Sequence, residues 1–267
     1  MNTVRSKDGT TISFDRSGSG PALILIGGAM SNRGSSATVA SLLAPRFTVY
    51  SYDRRGRGDS GNTLPYSVDR EFEDLAALIA DAGGSAFVMG GSSGGILALE
   101  SAAHGLAITK LAVYEPPLIV DKDGPSLPAG FADHLAELAA SGRRGDAVEA
   151  FMTQALGMPA DTVTGMRHAP FWSGLEAVAH TLAYDMIVSA PVQTRSRASL
   201  SRWATIKTPA LVMVGGASPD WMQNGIRALA ETLPNSTHRT LEGQTHSADP
   251  AMLAAALEAF FAGVEVV

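Results

Sequence analysis

The alternation of apolar and polar segments along the chain predicts a sheet with helices on both of its faces. A continuous apolar run, typical of a strand that is buried on both sides, occupies residues 22–26. Further strands are predicted at 47–52, 86–89, 110–114 and 210–214. Helical periodicity follows or separates these runs at 36–43, 68–82, 220–232 and 251–261. Strands that alternate with helices in this way favour a mostly parallel sheet of the α/β class.

The strand pattern stops for about 90 residues after position 117. In this stretch the periodicity is helical over 131–140, 146–155 and 175–188. A hairpin at 3–5 and 10–14 and a short strand at 237–241 complete the pattern. We therefore predict a core of residues 1–117 and 208–267, with residues 118–207 inserted as a helical domain.

Residues 87–99 run from an apolar strand through a glycine-rich serine pair directly into a helix. This layout is typical of the nucleophile elbow, G-x-S-x-G, in which a serine occupies a turn too tight for larger neighbours. Two frames fit, with either Ser92 or Ser93 as the central serine. Because the predicted strand ends at Gly90, the first frame places Ser92 on the turn and the Ser93 N–H at the start of the helix. We favour Ser92 as the nucleophile.

Four motifs occur in a fixed order: Gly27-Gly28-Ala29, Asp53-x-Arg-Gly-x-Gly-x-Ser60, the serine pair, and a histidine near the C-terminus. With these motifs the chain resembles the α/β-hydrolases over its whole length outside 118–207. The resemblance implies an oxyanion hole made by the N–H groups of Ala29 and Ser93, and a cap formed by the inserted helices. Gly27 stands where many relatives have histidine, which leaves the backbone donors intact. The arginine-rich turn 54–57 looks structural, and we predict no chemical role for it.

A serine hydroxyl needs a positioned histidine as its base. Of six histidines, His246 lies in the loop between the last predicted strand and the last helix, at the sheet edge where the elbow also opens. The other five lie in predicted helices, in the insertion or in a short strand, and we interpret them as surface or packing residues. His246 is therefore the candidate base.

Two carboxylates compete for the role of the third triad member. In most relatives the acid follows the strand equivalent to 210–214, and the corresponding position here is Ser218. Asp220 lies two residues later, where it also suits the first turn of a helix. Glu115 ends an apolar strand and resembles the acid of haloalkane dehalogenases, which follows the same strand. We favour Glu115 and keep Asp220 as the alternative.

Composition limits the classes of partner and cofactor. The 267 residues carry a net charge of −6, which argues against nucleic-acid binding, and contain no cysteine, which excludes thiolate chemistry. We see neither a signal peptide nor an apolar run of membrane-spanning length. We expect a cytoplasmic protein that binds a small molecule and needs no metal or cofactor, with a homodimer left open.

A serine nucleophile argues against the dehalogenases and epoxide hydrolases of this fold, which use aspartate. We therefore predict hydrolysis of a small, largely apolar carboxylic ester or lactone. The alternatives are a carbon–carbon bond hydrolase with the same triad, and a ligand-binding member without catalysis. We expect about half of the methionine and aromatic candidates to line the pocket, the others being core. These candidates are Met30, Met152, Met158, Met166, Phe171, Trp172, Tyr184 and Met186.

Overall fold

A computed structural model describes residues 1–263 and is built around one eight-stranded sheet. The strand order is β1-β2-β4-β3-β5-β6-β7-β8, in which β2 runs antiparallel to both neighbours and all other pairs are parallel. The strands are β1 Asn2–Arg5, β2 Thr11–Ser17, β3 Ala22–Ile26, β4 Thr48–Tyr52, β5 Ala86–Gly91, β6 Ile108–Tyr114, β7 Ala210–Gly215 and β8 Ser236–Leu241. The predicted α/β class with a mostly parallel sheet is confirmed.

Helices cover both faces of the sheet. They are α1 Ala37–Leu43, α2 Val68–Asp81, α3 Ser93–Ala103, α4 Phe131–Ala140, α5 Arg144–Ala150, α6 Ala160–Met166, α7 Trp172–Val178, α8 Leu182–Ser189, α9 Asp220–Thr232 and α10 Pro250–Ala262. In β3 the side chains of Leu23 and Leu25 enter the core beside α1 and α10, whereas Ile24 and Ile26 enter the core beside α2 and α3. Because both faces are buried, every position of the strand is apolar.

The segment between β6 and β7 is helical, but its helices differ from the prediction. The helix expected over 175–188 is two helices, α7 and α8, separated by a short 3₁₀ turn at Ala179–Thr181. In this turn the Thr181 hydroxyl donates to the Val178 carbonyl and accepts from Arg57. The turn thus makes a contact with Arg57, 124 residues away in sequence, and local periodicity cannot predict such a contact. Helix α6 was not predicted.

This helical segment contributes to two separate hydrophobic cores. Its first part, with Phe131, Leu135 and Trp172, forms one core together with Leu182 and Met186 of α8. Its last part packs into the main core through Val188, Val192, Leu200 and Trp203. The division into 1–117 and 208–267 on one side and 118–207 on the other therefore stays a prediction.

The parallel strands β5 to β8 all end at one edge of the sheet, and the helical segment covers part of this edge. Loops that follow parallel strands meet at such an edge, where α/β proteins bind their ligands. Within residues 1–263, none of the helices is long and apolar enough to cross a membrane. A cytoplasmic location and a homodimer stay predictions.

Candidate active site

The turn between β5 and α3 holds Ser92 in a strained backbone conformation. Its φ of 54° and ψ of −129° lie in a region that side chains other than glycine rarely adopt. The turn is tight because small residues surround it: a Cβ on Gly90 would collide with the backbone of Gly94, and a Cβ on Gly94 with that of Ile26. The Ser92 N–H donates to the Tyr114 carbonyl at 2.9 Å, which joins the turn to β6.

The two serines of the pair have different environments. Ser92 borders a cavity and has no hydrogen bond from its hydroxyl to another side chain within residues 1–263. The Ser93 hydroxyl donates to Asp185 Oδ1 at 2.7 Å and the residue is buried. The strained position and the open environment thus coincide at Ser92, the residue favoured by the sequence.

The loop after β8 brings His246 to the carboxylate at the end of β6. Its Nδ1 lies 2.8 Å from Glu115 Oε2. Because an ionised carboxylate only accepts hydrogen bonds, Nδ1 carries the hydrogen and Nε2 is left as the proton acceptor. The Tyr114 hydroxyl donates to the Thr245 carbonyl and so ties the histidine loop to β6.

Glu115 is fully buried, and both of its oxygens are occupied. Oε2 faces the imidazole, while Oε1 accepts from the Gly215 N–H at 2.7 Å and from the Ser218 hydroxyl. In most relatives we expected the acid at the position that Ser218 occupies here. In this structure the Ser218 hydroxyl instead donates to Glu115, which follows the neighbouring strand β6. Asp220 is exposed in the first turn of α9 and makes no such contact with the histidine within residues 1–263.

Burial alone would raise the pKa of the Glu115 carboxyl, but the hydrogen bonds from the imidazole, a hydroxyl and a backbone N–H hold its pKa below the ordinary value of 4.5. A depressed pKa means that the ionised group stabilises the folded protein above pH 4.5 and loses this effect as the pH falls through the folded-state pKa. We expect the difference in free energy of unfolding between wild type and Glu115→Gln to be constant from about pH 7 to 5 and to shrink at lower pH. Urea denaturation at several pH values measures this difference.

Asp220→Asn is the control for this measurement, since it removes an exposed carboxylate close in sequence. Its free energy of unfolding should follow the wild-type value within a few tenths of a kcal/mol over the same range, as is usual for surface substitutions. If the difference in free energy of unfolding between wild type and Glu115→Gln does not change with pH, the assignment of an ionised, hydrogen-bonded Glu115 is contradicted.

A cavity of about 360 Å³ lies between the sheet edge and the helical segment. Its volume is in the range of small-molecule sites. Every predicted member of the triad and of the oxyanion hole except Asp220 borders this cavity. These members are Ser92, His246, Glu115, Ala29 and Ser93.

The apolar wall of the cavity differs from the predicted one. Of the eight methionine and aromatic candidates, the structure brings Met158 and Met186 into the wall. Met152 and Trp172 lie in the core of the helical segment, and Met30 and Met166 pack against that core. Phe171 is exposed, and Tyr184 stacks on Tyr66. The remaining apolar wall is formed by Ala29, Pro117, Phe151, Ala155, Leu156, Ala217, Pro219, Trp221 and Met222.

Comparison with known proteins establishes the family. Residues 23–260 match the model of the alpha/beta hydrolase family. The chain belongs to this family. A crystal structure of an alpha/beta hydrolase from Sphaerobacter thermophilus is 53% identical, covers 97% of this chain and 100% of its own, and superposes with a TM-score of 0.91.

Two curated relatives match this chain over part of its length. N-formylmaleamate deformylase from Pseudomonas putida is 34% identical over 142 residues, which is 50% of this chain and 52% of that protein. The uncharacterized hydrolase YraK from Bacillus subtilis is 32% identical over 116 residues, 42% of this chain and 43% of that protein. The matched regions thus span about half the length of these curated relatives.

Sequence patterns did not predict the ion pairs of Arg54 and Arg57, which lie beneath the candidate active site. Arg54 pairs with Glu71 at 2.6 Å and with Asp185 at 2.7 Å, and Arg57 pairs with the other oxygen of Asp185 at 2.7 Å. All four side chains are buried. Burial would raise the pKa of Asp185, but the two guanidinium groups lower it, so the carboxylate is charged. The signal in the sequence was an unusual density of arginine beside glycine in this turn.

Proposed function

We propose that this hydrolase cleaves a small, uncharged and largely apolar carboxylic ester or lactone through an acyl-enzyme on Ser92. The observation that carries the proposal is the contact between Glu115 and the His246 imidazole beside the same cavity that the strained Ser92 borders. A serine on a strained turn, a histidine oriented by a buried carboxylate, and a loop with free N–H groups are the parts that acyl transfer requires.

Each part has one role in the proposed reaction. Ser92 Oγ attacks the carbonyl carbon while His246 Nε2 accepts the hydroxyl proton. The negative charge that develops on the carbonyl oxygen is stabilised by the N–H groups of Ala29 and Ser93. The imidazolium then protonates the leaving alcohol, and water, activated by the same imidazole, releases the acid. Glu115 holds the imidazole in the required tautomer and stabilises its positive charge.

The composition of the cavity wall favours an uncharged substrate. Its apolar part is formed largely by methionine, proline, alanine and aromatic side chains, and neither lysine nor arginine borders it within residues 1–263. A carboxylate that enters such a site without a cation loses its hydration and gains no partner. The same argument disfavours a carbon–carbon bond hydrolase that acts on a dicarboxylate-like substrate.

A matched pair of esters tests this proposal. We expect p-nitrophenyl butyrate to be hydrolysed, and mono-p-nitrophenyl succinate, of equal acyl length but with a terminal carboxylate, to have a kcat/KM at least about tenfold lower. Tenfold corresponds to ~1.4 kcal/mol, less than the usual cost of burying an unpaired charge. Release of p-nitrophenolate at pH 7.5 measures both reactions.

The p-nitroanilide of butyric acid is the third substrate, because one curated relative is a deformylase. Faster turnover of the anilide than of the ester would contradict ester specificity while leaving the serine mechanism intact. Preference for the succinate would contradict the uncharged substrate class. Absence of turnover with all three substrates would contradict the hydrolytic function itself and favour a ligand-binding role.

A further inference from the structure

The loop that follows β3 is held by its carbonyl groups. The Gly28 carbonyl accepts a hydrogen bond from an Arg57 guanidinium nitrogen at 2.5 Å and a second one from the Ser31 hydroxyl at 2.6 Å. The next residue but one, Met30, has a φ of 57°, in the left-handed region that is unfavourable for its side chain. A loop in this conformation persists only where its surroundings fix it.

The bonds to the Gly28 carbonyl also determine the direction of one N–H group. In a planar trans peptide, the N–H of a residue points away from the C=O of the residue before it. The Gly28 C=O and the Ala29 N–H belong to one peptide, so anchoring the carbonyl under the loop directs the N–H to the opposite side. Ala29 borders the cavity, and its N–H donates to no acceptor within residues 1–263. A guanidinium on the carbonyl also polarises the peptide and strengthens the N–H as a donor.

A single carboxylate connects this peptide with the second candidate donor. Asp185 Oδ2 pairs with Arg57 at 2.7 Å, and Asp185 Oδ1 accepts from the Ser93 hydroxyl at 2.7 Å. Ser93 begins α3, so its N–H has no partner within the helix. Asp185 therefore contacts both Arg57, which orients the Ala29 peptide, and Ser93, which supplies the other N–H. Asp185 itself comes from α8 of the helical segment.

We propose that Arg57 and Asp185 are positioning residues that hold the two N–H groups of the oxyanion hole at the spacing the transition state requires. They touch neither nucleophile nor base, and they act through the Gly28–Ala29 peptide and through Ser93. The inference rests on the proposed function, because an oxyanion forms only if Ser92 attacks a carbonyl. It assigns a catalytic effect to a buried ion pair that would otherwise serve stability alone.

The variant Arg57→Gln tests the role of the pair, and Arg55→Gln is its matched control. Arg55 is equally buried and pairs with Asp74 and Asp8, but it makes no contact with the oxyanion loop. With p-nitrophenyl butyrate we expect Arg57→Gln to lower kcat by about 10²-fold, the usual effect of losing one oxyanion donor, with KM changed by less than about threefold. Arg55→Gln should lower stability to a similar degree and leave the kcat of the folded enzyme within about twofold.

A second measurement separates positioning from general structural damage. A trifluoromethyl ketone adds to the serine and forms a hemiketal oxyanion, so its inhibition constant reports on the oxyanion hole. We expect Arg57→Gln to weaken this inhibition by about the same factor as it lowers kcat. Arg57→Lys, which keeps one donor for the Gly28 carbonyl, should recover part of both effects. If Arg57→Gln does not fold, Arg57→Lys carries the test, with an expected loss of about tenfold in kcat at unchanged KM.

The outcomes distinguish this inference from the proposed function. Equal kcat values for Arg57→Gln and Arg55→Gln in an active wild-type background overturn the positioning role and leave the serine mechanism standing. A rise in KM at constant kcat, or inhibition by the ketone that is unaffected in Arg57→Gln, also overturns it, as does a fully active Arg57→Lys where this variant carries the test. A wild-type protein that hydrolyses no ester and binds no ketone overturns the proposed function and this inference together.

Discussion

Replacing Ser92 by alanine is expected to lower kcat for p-nitrophenyl butyrate by about 10⁴-fold or more, because loss of the nucleophile leaves only binding and oxyanion stabilisation. The fold should be preserved, since alanine is smaller than serine and Ser92 caps no N–H of α3 with its side chain. Initial rates, together with the thermal unfolding temperature of the variant, measure the effect.

Ser93→Ala is the control for the choice between the two serines. It removes the hydroxyl through which Asp185 contacts Ser93 but keeps the backbone N–H at the start of α3, so we expect a loss of about tenfold in kcat, far smaller than that of Ser92→Ala. A serine-directed fluorophosphonate followed by peptide mass spectrometry should label Ser92 in both the wild type and Ser93→Ala, and nothing in Ser92→Ala. A label on Ser93 in the wild type would contradict the assignment of the nucleophile.

The second large effect is expected for Glu115→Gln, with a loss of about 10⁴-fold in kcat. In wild type, Gly215 N–H and the Ser218 hydroxyl both donate to Oε1. A glutamine would keep its amide oxygen at this position, so that its NH₂ group would face His246 Nδ1. The imidazole would then have to accept at Nδ1 and carry its hydrogen on Nε2, the atom that must accept the serine proton. The pH-independent kcat measures this loss.

Asp220→Asn removes the alternative acid and is the matched control. Because Asp220 is exposed on the first turn of α9, we expect kcat to stay within about twofold of wild type. The reverse result, a large loss for Asp220→Asn with an active Glu115→Gln, would move the acid to α9. It would also require the histidine loop to leave the position it holds through Tyr114.

Local sequence motifs predicted the residues at the centre of the candidate site, which the structure brings together. Gly90 is required by its close approach to Gly94, four residues away, so this part of the turn is visible as a pattern in the sequence. His246 follows a strand whose carboxyl end meets the elbow, which strand order in the α/β class makes predictable. Glu115 could be favoured because a carboxylate at the end of a buried strand needs a partner. Its partners, in particular Ser218, became visible only when the two strands were paired.

The cavity wall was less predictable, for a physical reason. Helical periodicity tells which residues are buried, but not whether they face another helix or an empty space. Met152 and Met158 lie six residues apart, yet the first fills the core of the helical segment and the second borders the cavity. Met152 lies in the π-helical turn Phe151–Ala155, whereas Met158 lies in the loop between this turn and α6, so helical periodicity does not relate the two side chains. The ion pair between Arg57 and Asp185 joins positions 128 residues apart, a distance at which sequence patterns carry no signal.

The two cores of the helical segment imply that its halves differ in how freely they can change during evolution. The first part, α4 to α7, lies in a core that it shares with Leu182 and Met186 of α8 and reaches the cavity through few residues, so an exchange of this part must preserve its packing against α8. Helix α8 shares the main core through Val188 and carries Asp185 to the arginines under the active site. A chimera joined before α8 therefore keeps Asp185 and its contacts with Arg57 and Ser93. A chimera joined after it must bring its own carboxylate.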